Sequence, residues 1–325
     1  MRRRLPHLLA AVATAAMIAG CGSTSDRPLK ITLAALATKP PAPSPSSPAQ
    51  PQPRCSQPTA SLRPPAVMPT PGAMPKGSFM KRIQEQHYLL AGVDQNTFLF
   101  GYFNPQDGKT EGFEIDLLRQ IAKAIFGSEQ ALRFNAVTPA QRIPAVQSGS
   151  VDIVADAVTI TCERRREVDF STVYFNAKQK VLVPSNSTAR SVRDLGGKRV
   201  CAAVGSTTIA ALKPLKPPVI PYPVPQRTDC LVRLQQGLVD AISSDDSILL
   251  GFAAQDPDTK IVGGRIAAEP YGLAISNTHP DFVRFVNGVL ARMRADGTWR
   301  RLYAHWFGRV TQGKIPAAPK ALYER

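Results

Sequence analysis

Features that would indicate an enzyme or a metalloprotein are scarce in this sequence of 325 residues. It contains four histidines, His7, His87, His279 and His305, and it has no HExxH motif, nucleophile elbow or Ser-His-Asp order. Its five cysteines include no CxxC pair, which argues against a zinc knuckle or a dithiol redox motif. We therefore expect no catalytic residue, no metal and no cofactor.

Long apolar runs are also scarce, because none beyond the N-terminus approaches the roughly 20 residues of a membrane helix. MRRR followed by LLAAVATAAMIAG predicts a signal peptide at residues 1–20. Ile18-Ala19-Gly20-Cys21 resembles a lipobox, which predicts lipid on Cys21; a plain secretory signal or an uncleaved anchor is the alternative. We expect a soluble domain in the cell envelope, held by lipid at the outer face of the cytoplasmic membrane.

Cys55, Cys162, Cys201 and Cys230 remain after the lipid-bearing cysteine is set aside. An exported chain enters an oxidising compartment, where two disulfides are expected. Four cysteines allow three pairings, and the residues alone leave that choice open.

The net charge of +16 does not by itself indicate a nucleic-acid-binding protein. The basic residues are spread along the chain without a recognition motif, and the protein is predicted to be exported. We expect no nucleic-acid partner and some attraction to an anionic envelope surface.

Composition divides the chain into a stalk and a folded part. Residues 40–75 contain 13 prolines, which favour an extended, semi-rigid segment. Between about residues 77 and 308, buried strands such as LLAGV alternate with amphipathic helices such as FEIDLLRQIAKAIF. QSGSVDIVAD and QQGLVDAISSD repeat a helix–Gly–strand arrangement, which predicts an α/β fold with two similar lobes and a cleft between them.

Polar residues stand at the ends of the predicted strands, where ligands bind in parallel α/β sheets. They are Asp94, Thr159, the segment 205–208 (GSTT) and Asp245, and Arg164 follows five residues after Thr159. Arginine and the N–H groups of a helix start suit a carboxylate, and a carboxylate suits an ammonium. The set is therefore typical of a site for a zwitterion.

Six stretches in the same order resemble the extracellular solute-binding proteins for polar amino acids that serve ABC transporters. They are GFEIDL (112–117), RIPAVQSGSVDIV (142–154), TITCERRREVDFSTVY (159–174), DLGGKRVCAAVGSTT (194–208), DDSIL (245–249) and DGTWRRLYAHWFG (296–308). The resemblance covers about residues 86–308 and is strongest to actinobacterial glutamine-binding lipoproteins. It implies a two-lobe periplasmic-binding-protein-like fold of type II with the ligand cleft between the lobes. The implied division is a signal peptide (1–20), a lipidated Cys and Pro-rich stalk (21–76), lobe 1 (77–182 plus 267–308), lobe 2 (183–266) and a C-terminal tail (309–325).

The same resemblance implies which residues bind the backbone of the ligand. In the pattern T-x-T-x-x-R, Arg164 binds the α-carboxylate, and Arg165 and Arg166 are expected to be solvated. Hydroxyl and N–H groups assist Arg164 at Thr159, Ser206, Thr207 and Thr208. The α-ammonium is assigned to Asp245, Thr159 and Ala157. The structural alternatives are a surface arginine, a strand-end threonine and helix caps, with Asp246 competing with Asp245 for the cap.

The residues implied for the ligand side chain carry opposing charges. Asp94 would accept a hydrogen bond from an amide or ammonium and repel an acid, whereas Arg142 suits a carboxylate. Asp156 departs from the small residue of the family and either pairs with Arg142 or changes the charge of the pocket. Phe100, Tyr102 and Tyr174 would cover the aliphatic part, although such aromatics are more often core. The ligand stays open among glutamine, glutamate, asparagine and aspartate.

The layout implied by the resemblance favours the disulfides Cys201–Cys230, within one lobe, and Cys55–Cys162, which would hold the stalk beside the Arg164 loop. The function it implies is a monomeric, lipid-anchored binding protein, whose lobes close on a polar amino acid and deliver it to an ABC permease. One alternative partner is a membrane sensor that reports nutrient level. An enzyme resembling the periplasmic dehydratases is a second alternative, which the missing catalytic motifs disfavour.

Overall fold

The protein is represented by a computed structural model that describes residues 55–324. The predictions for the signal peptide, for Cys21 and for the first part of the stalk lie outside the described residues. Between residues 55 and 324, no helix combines the length and the apolar character needed to cross a bilayer.

Strands and helices alternate through most of the described chain. Its strands are β1 (Leu89–Val93), β2 (Asn96–Thr97), β3 (Gly101–Asn104), β4 (Lys109–Glu111), β5 (Leu132–Ala136), β6 (Ile153–Ala155), β7 (Asp169–Phe170), β8 (Phe175–Pro184), β9 (Arg199–Ala203), β10 (Ile220–Val224), β11 (Ala241–Asp245), β12 (Thr259–Val262), β13 (Ala268–Tyr271) and β14 (Ala274–Ile275). Its α-helices are α1 (Phe79–Glu85), α2 (Phe113–Phe126), α3 (Arg142–Gln147), α4 (Thr207–Leu212), α5 (Asp229–Gln235), α6 (Asp246–Gln255), α7 (Pro280–Ala295) and α8 (Thr298–Phe307).

The first lobe is built on a five-stranded sheet with the order β5-β1-β6-β14-β7. β1 is parallel to β5 and β6, whereas β14 is antiparallel to β6 and β7. Leu89, Ala91 and Val93 of β1 share an apolar core with α2 and α7, which confirms the prediction of a buried strand. α2 ends at Gly127, which adopts the left-handed conformation (φ 80°) and donates its N–H to Lys123 O, as the sequence predicted for a C-cap.

The second lobe is built on the sheet β10-β9-β11-β8-β12. β9 is parallel to β10 and β11, and β8 is antiparallel to β11 and β12. Val181, Val200 and Ala241 from three of these strands are buried in a core cluster of their own. The helix–Gly–strand repeat seen in the sequence thus corresponds to α3–β6 in the first lobe and α5–β11 in the second.

Two strands connect the lobes. β8 leaves the first lobe beside β13, with Phe175 opposite Tyr271, and continues into the second sheet through its pairing with β11 and β12. β13 brings the chain back. The predicted lobe boundary after residue 182 falls inside β8. Two lobes joined by a pair of antiparallel strands confirm the predicted type II fold of the periplasmic-binding-protein class, with a cleft between the lobes.

Both ends of the described chain pack on the first lobe. Ser61 pairs with Tyr323 in a parallel bridge, and its Oγ donates to Phe170 O over 2.6 Å. The Nδ2 of the fully buried Asn287 donates to Ser61 Oγ and Leu62 O over 2.8 and 2.7 Å. These hydrogen bonds and a disulfide hold residues 55–76, which the sequence assigned to the stalk, against the body.

The structure contains both predicted disulfides. Cys55 is bonded to Cys162, and Cys201 is bonded to Cys230, so the second bridge joins β9 to α5 within one lobe. Cys162 lies two residues before Arg164, and the first bridge therefore ties residue 55 to the loop of the candidate site.

Three local features differ from the predictions. The strand predicted over residues 151–160 forms only as β6, because Ala157 adopts a positive φ of 47° and ends the extended chain. The hairpin sheet β2-β3-β4 was not predicted, since its strands have two to four residues and no clear alternation. Arg165 is not a solvated neighbour of Arg164: its guanidinium binds the carbonyls of Pro58 and Ala60 and the carboxylate of Glu324.

Candidate functional site

A cavity lies between the two lobes at the carboxyl ends of β6, β9 and β11. Its lining comes from the first lobe at Arg142, Ala157 and Thr159, and from the second lobe at Ala203, Ser206, Thr207, Thr208, Arg227, Cys230, Ile242, Ser243, Ser244 and Asp245. Its volume is ≈ 20 Å³, which is room for about one water molecule. Any ligand of the size of an amino acid therefore enters this space only after the lobes separate.

A buried carboxylate, Glu269, joins the two walls of the cavity. Its Oε2 accepts hydrogen bonds from Thr159 Oγ1 of the first lobe (2.5 Å) and from Thr207 Oγ1 of the second (2.7 Å). Glu269 belongs to the connecting strand β13 and is 2% exposed. Both hydroxyl protons point to Glu269, so the remaining lone pairs of Thr159 and Thr207 are left to accept from a donor.

Asp245, the last residue of β11, presents a carboxylate to the cavity. Its Oδ2 accepts from the Tyr271 hydroxyl, whereas its Oδ1 is buried and has no hydrogen-bond partner within residues 55–324. Burial, together with the nearby carboxylate of Glu269, raises the pKa of Asp245 to about 7. Its side chain does not cap α6, and Asp246 instead accepts the N–H groups of Lys178 and Ser247. An ammonium group would satisfy the orphaned oxygen and restore the charge of the carboxylate.

Arg164 spans the cleft beside the cavity and is not among the described residues that line it. Its Nη1 donates to Thr159 O over 2.7 Å, and its Nη2 donates to Gly205 O over 2.8 Å. Burial lowers its pKa, and the charge of Glu269 opposes that effect. In the closed arrangement both terminal nitrogens therefore bind backbone carbonyls, and the bond to Gly205 breaks when the lobes separate.

The guanidinium of Arg142 also donates its hydrogen bonds to backbone carbonyls. Its Nε donates to Pro139 O (2.9 Å), its Nη1 to Asp156 O and Ala157 O (2.9 and 3.1 Å), and its Nη2 to Gly205 O (3.2 Å). The nearest carboxylate oxygen is Asp156 Oδ2, 3.7 Å from Nε, and this contact matches the predicted pairing of Arg142 with Asp156. The carbonyl of Ala157, predicted as an acceptor for the ammonium, is occupied by Arg142.

Asp94 is placed at the end of β1 but is not among the described residues that line the cavity. Its Oδ1 accepts from Asn96 N and its Oδ2 from Thr97 Oγ1, over 2.7 and 2.6 Å. The Oδ2 also accepts from Arg227 Nη1 over 2.7 Å, and the same nitrogen donates to Asp156 Oδ1 over 2.6 Å. The guanidinium of Arg227 thus stands between Asp94 and Asp156 on one side and the cavity on the other.

The start of α4 supplies three hydroxyl groups. Ser206 Oγ donates to Ala203 O (2.6 Å) and lies 2.7 Å from Thr208 Oγ1, while Thr207 contacts Glu269. Gly205, just before them, has φ 77°, and a Cβ there would stand 2.6 Å from Ala140 Cα of the first lobe. The loop before α4 can approach the first lobe this closely only because residue 205 is glycine.

The three predicted aromatic residues are not among the described residues that line the cavity. Phe100 is 1% exposed and packs edge-on against Phe113 and Phe307 in the core. Tyr174 is fully buried, and its hydroxyl donates to Glu114. Tyr102 lies on the hairpin strand β3, where its hydroxyl donates to Glu111. Their spacing in the sequence is explained by core and hairpin packing.

Residues 89–309 match the family of bacterial extracellular solute-binding proteins, family 3. The chain belongs to this family. It is 36% identical over 232 residues to the ABC transporter glutamine-binding protein GlnH of Bacillus subtilis, covering 71% of this chain and 85% of that protein. It is 29% identical over 254 residues to the L-glutamate/L-aspartate-binding protein of Pseudomonas aeruginosa, covering 75% of this chain and 82% of that protein. The solved structure of an ancestral arginine-binding protein bound to glutamine is similar in fold, with a TM-score of 0.63, 34% identity and coverage of 68% of this chain and 98% of that one.

Two residues of this solute-binding protein were not predicted from the sequence. Glu269 stands in the segment AEPYG, where a single carboxylate in a strand carries no recognisable pattern. Arg227 stands in PQRTD, where it is one of 40 basic residues and precedes a helix as many surface arginines do. Only 2% of the Glu269 surface and 6% of the Arg227 surface are exposed, and this distinguishes them because charged residues are rarely buried without a partner.

A metal site has no support among the described residues. Within residues 55–324 no group of three or more His, Cys, Asp or Glu side chains is arranged to hold a metal ion. The carboxylates around the cleft are instead paired with guanidinium, hydroxyl and backbone N–H groups.

Proposed function

We propose that this solute-binding protein captures a polar L-amino acid of the glutamine, glutamate, asparagine and aspartate class and delivers it to an ABC importer. The observation that carries the proposal is Asp245, a residue that lines the interlobe cavity and whose buried Oδ1 has no hydrogen-bond partner within residues 55–324. Its counterpart is the α-ammonium of the ligand, with Thr159 Oγ1 as a further acceptor. The names of the relatives, which specify glutamine, glutamate and aspartate, support the same class.

The α-carboxylate of the ligand is assigned to Arg164 and to the start of α4, at Ser206, Thr207 and Thr208. Opening the cleft breaks the bond between Arg164 Nη2 and Gly205 O and exposes the guanidinium edge. A ligand carboxylate restores a charge-assisted bond that is stronger than the one to a neutral carbonyl. Because Arg164 lies on the first lobe and α4 on the second, the same carboxylate would favour the closed form.

Lipid on Cys21 and a Pro-rich stalk complete the proposal. They would hold the two lobes, with the predicted division at residues 183 and 266, near the outer face of the cytoplasmic membrane as a monomer. The partner is proposed to be an ABC permease. Uptake of radiolabelled amino acid in cells lacking the gene distinguishes this partner from a membrane sensor, because loss of a sensor would leave uptake intact.

Calorimetric titration tests the ligand class. The full-length protein in mild detergent, stripped of bound ligand by denaturation and refolding, is titrated with each of the 20 amino acids. We expect tight binding of one or more of the four polar amino acids, and catalytic turnover of none. Binding of none by folded protein would contradict the proposal.

Replacement of Arg164 tests the carboxylate assignment. Arg164→Ala is expected to lower the affinity by roughly 2–5 kcal/mol, because it removes a buried charge-assisted contact. Arg166→Ala, at an exposed position in the same 3₁₀ turn, is the matched control and should bind as the wild type does. Equal affinities of the two variants would refute the role of Arg164.

A further inference from the structure

Arg227 forms an ion pair with two carboxylates across the cleft. It precedes α5 in the second lobe, whereas Asp94 and Asp156 follow β1 and β6 in the first. Its Nη1 lies 2.7 Å from Asp94 Oδ2 and 2.6 Å from Asp156 Oδ1, and its Nη2 donates to Asp156 O over 3.1 Å. The side chains are 6%, 3% and 1% exposed, so the contact is shielded from water. Since Arg227 lies on one lobe and both carboxylates lie on the other, the ion pair forms only when the cleft closes.

The buried charges at this end of the cleft balance one another. Asp94 and Asp156 contribute two negative charges, and Arg227 and Arg142 contribute two positive charges. Burial alone would lower the pKa of Arg227, but Asp156 and Asp94 outweigh that effect and raise it, so the guanidinium stays charged. An uncompensated charge in such surroundings costs several kcal/mol. In the closed form the two guanidinium groups thus supply the counter-charge for Asp94 and Asp156, although Asp156 Oδ2 itself accepts no hydrogen bond within residues 55–324.

Arg227 also determines what a ligand meets at this wall. It lines the cavity together with Thr159, Thr207 and Asp245, whereas the two carboxylates lie behind it. A ligand with a guanidinium or ammonium side chain would have to displace Arg227 from both carboxylates or lie against it as a like charge. A ligand with an amide or carboxylate side chain meets a donor and keeps the ion pair intact.

We infer that Arg227 is a specificity-determining residue, which neutralises Asp94 and Asp156 on closure and excludes amino acids with cationic side chains. The inference rests on the proposed function and refines it, since it assigns to Arg227 the discrimination that the sequence suggested for Asp94 alone. The wild type therefore binds the amide and acidic amino acids and rejects L-arginine and L-lysine. Removal of Arg227 converts the two carboxylates into a receptor for a cationic side chain.

Titration calorimetry of full-length variants in mild detergent tests this inference with six probes. The probes are L-glutamine, L-glutamate, L-asparagine, L-aspartate, L-arginine and L-lysine. We expect Arg227→Ala to gain affinity for L-arginine by at least about tenfold over the wild type, since the side chain of the ligand replaces the missing guanidinium. Arg227→Ala combined with Asp94→Asn should lose most of that gain. Arg233→Ala is the matched control on α5, because the half-buried Arg233 makes an exposed hydrogen bond to Gln236, and this variant should keep the wild-type ranking.

Two results would overturn the inference. One is wild-type protein that binds L-arginine as tightly as it binds any of the four polar amino acids, because the ligand would then displace Arg227. The other is a folded Arg227→Ala protein whose ranking of the six probes is unchanged. If Arg227→Ala does not fold, Arg227→Gln keeps an amide donor without the charge and is judged by the same criteria. Failure of the proposed function is distinct, because the wild type would then bind none of the 20 amino acids.

Discussion

Gly205→Ala is expected to weaken ligand binding by acting on the closed form of the protein. Gly205 lies in the second lobe, and a Cβ there would stand 2.6 Å from Ala140 Cα, 2.8 Å from Ala140 N and 2.9 Å from Pro139 O, all in the first lobe. These are backbone atoms and cannot rotate away. The clash exists only when the cleft is closed, so it changes the equilibrium between the open and closed forms.

Two separable free-energy costs determine how Gly205→Ala changes the stability of the fold and the affinity for the ligand. The left-handed conformation of residue 205 (φ 77°) costs an alanine roughly 1–2 kcal/mol in both forms. The overlap with Ala140 adds roughly 1–3 kcal/mol to the closed form alone. Because a ligand must bring about closure, its affinity falls by about 5- to 150-fold.

Gly237→Ala is the matched control in the same lobe. Gly237 has φ 68°, and a Cβ there would meet no atom within 4 Å, so the variant carries the backbone cost without the clash. Both variants should lose a similar free energy of unfolding in denaturant titrations. Only Gly205→Ala should lose affinity in calorimetry and stay expanded in small-angle X-ray scattering with ligand. Equal affinities would refute the view that this contact forms in the liganded state.

Three further predictions concern charge, covalent links and packing. Burial and Glu269 raise the pKa of Asp245 to about 7, so an ammonium ligand binds only when the Asp245 carboxyl loses its proton, and affinity should fall from about pH 7.5 to about pH 5. The unliganded fold gains stability over the same range, because the pKa of Asp245 is higher in the folded than in the unfolded chain. Calorimetric titrations in buffers of different ionisation enthalpy measure the number of protons released on binding. Glu269→Gln should move the midpoint of the pH dependence of affinity to lower pH, and an affinity that does not depend on pH would contradict the assignment of the ammonium to Asp245. Serine at both Cys55 and Cys162, which are 107 residues apart, should lower the free energy of unfolding by up to about 5 kcal/mol, against about 3.5 kcal/mol for the pair 29 residues apart; denaturant titrations measure both, and the reverse order would contradict the loop argument. Asn287→Ala should cost about 2–4 kcal/mol, since Thr172 N and Leu62 O lose a buried partner, whereas Asn176→Ala, at an exposed site, should cost little by the same measurement.

The closed form is stabilised by contacts that the two lobes make with one another. Arg142 and Arg164 both donate to Gly205 O, Thr207 reaches Glu269, and Arg227 reaches two carboxylates. All of these groups are hydrated when the lobes separate, so their net contribution is far smaller than their number suggests. A ligand shifts the balance by offering Arg164 and Asp245 charged partners in place of a neutral carbonyl and an empty acceptor position.

Features that depend on near neighbours along the chain could be predicted from the amino-acid sequence. The apolar run of β1, the spacing of α2 and its glycine cap, the place of Asp245 at the end of β11 and that of Ser206 before α4 follow from local periodicity and turn chemistry. The resemblance of six ordered stretches added the two-lobe fold and both disulfide pairs. Only the local features need no knowledge of which distant side chains meet.

The pairing of the buried charges, in contrast, is determined only by the tertiary structure. Glu269 lies 110 residues from Thr159, and Arg227 lies 133 residues from Asp94, so no periodicity in the sequence connects them. The same holds for the aromatic residues, since Phe100 fills a core assembled from distant helices. A polar or charged side chain that long-range packing buries must find its hydrogen-bond or ionic partner within the folded protein, because water is no longer available to it.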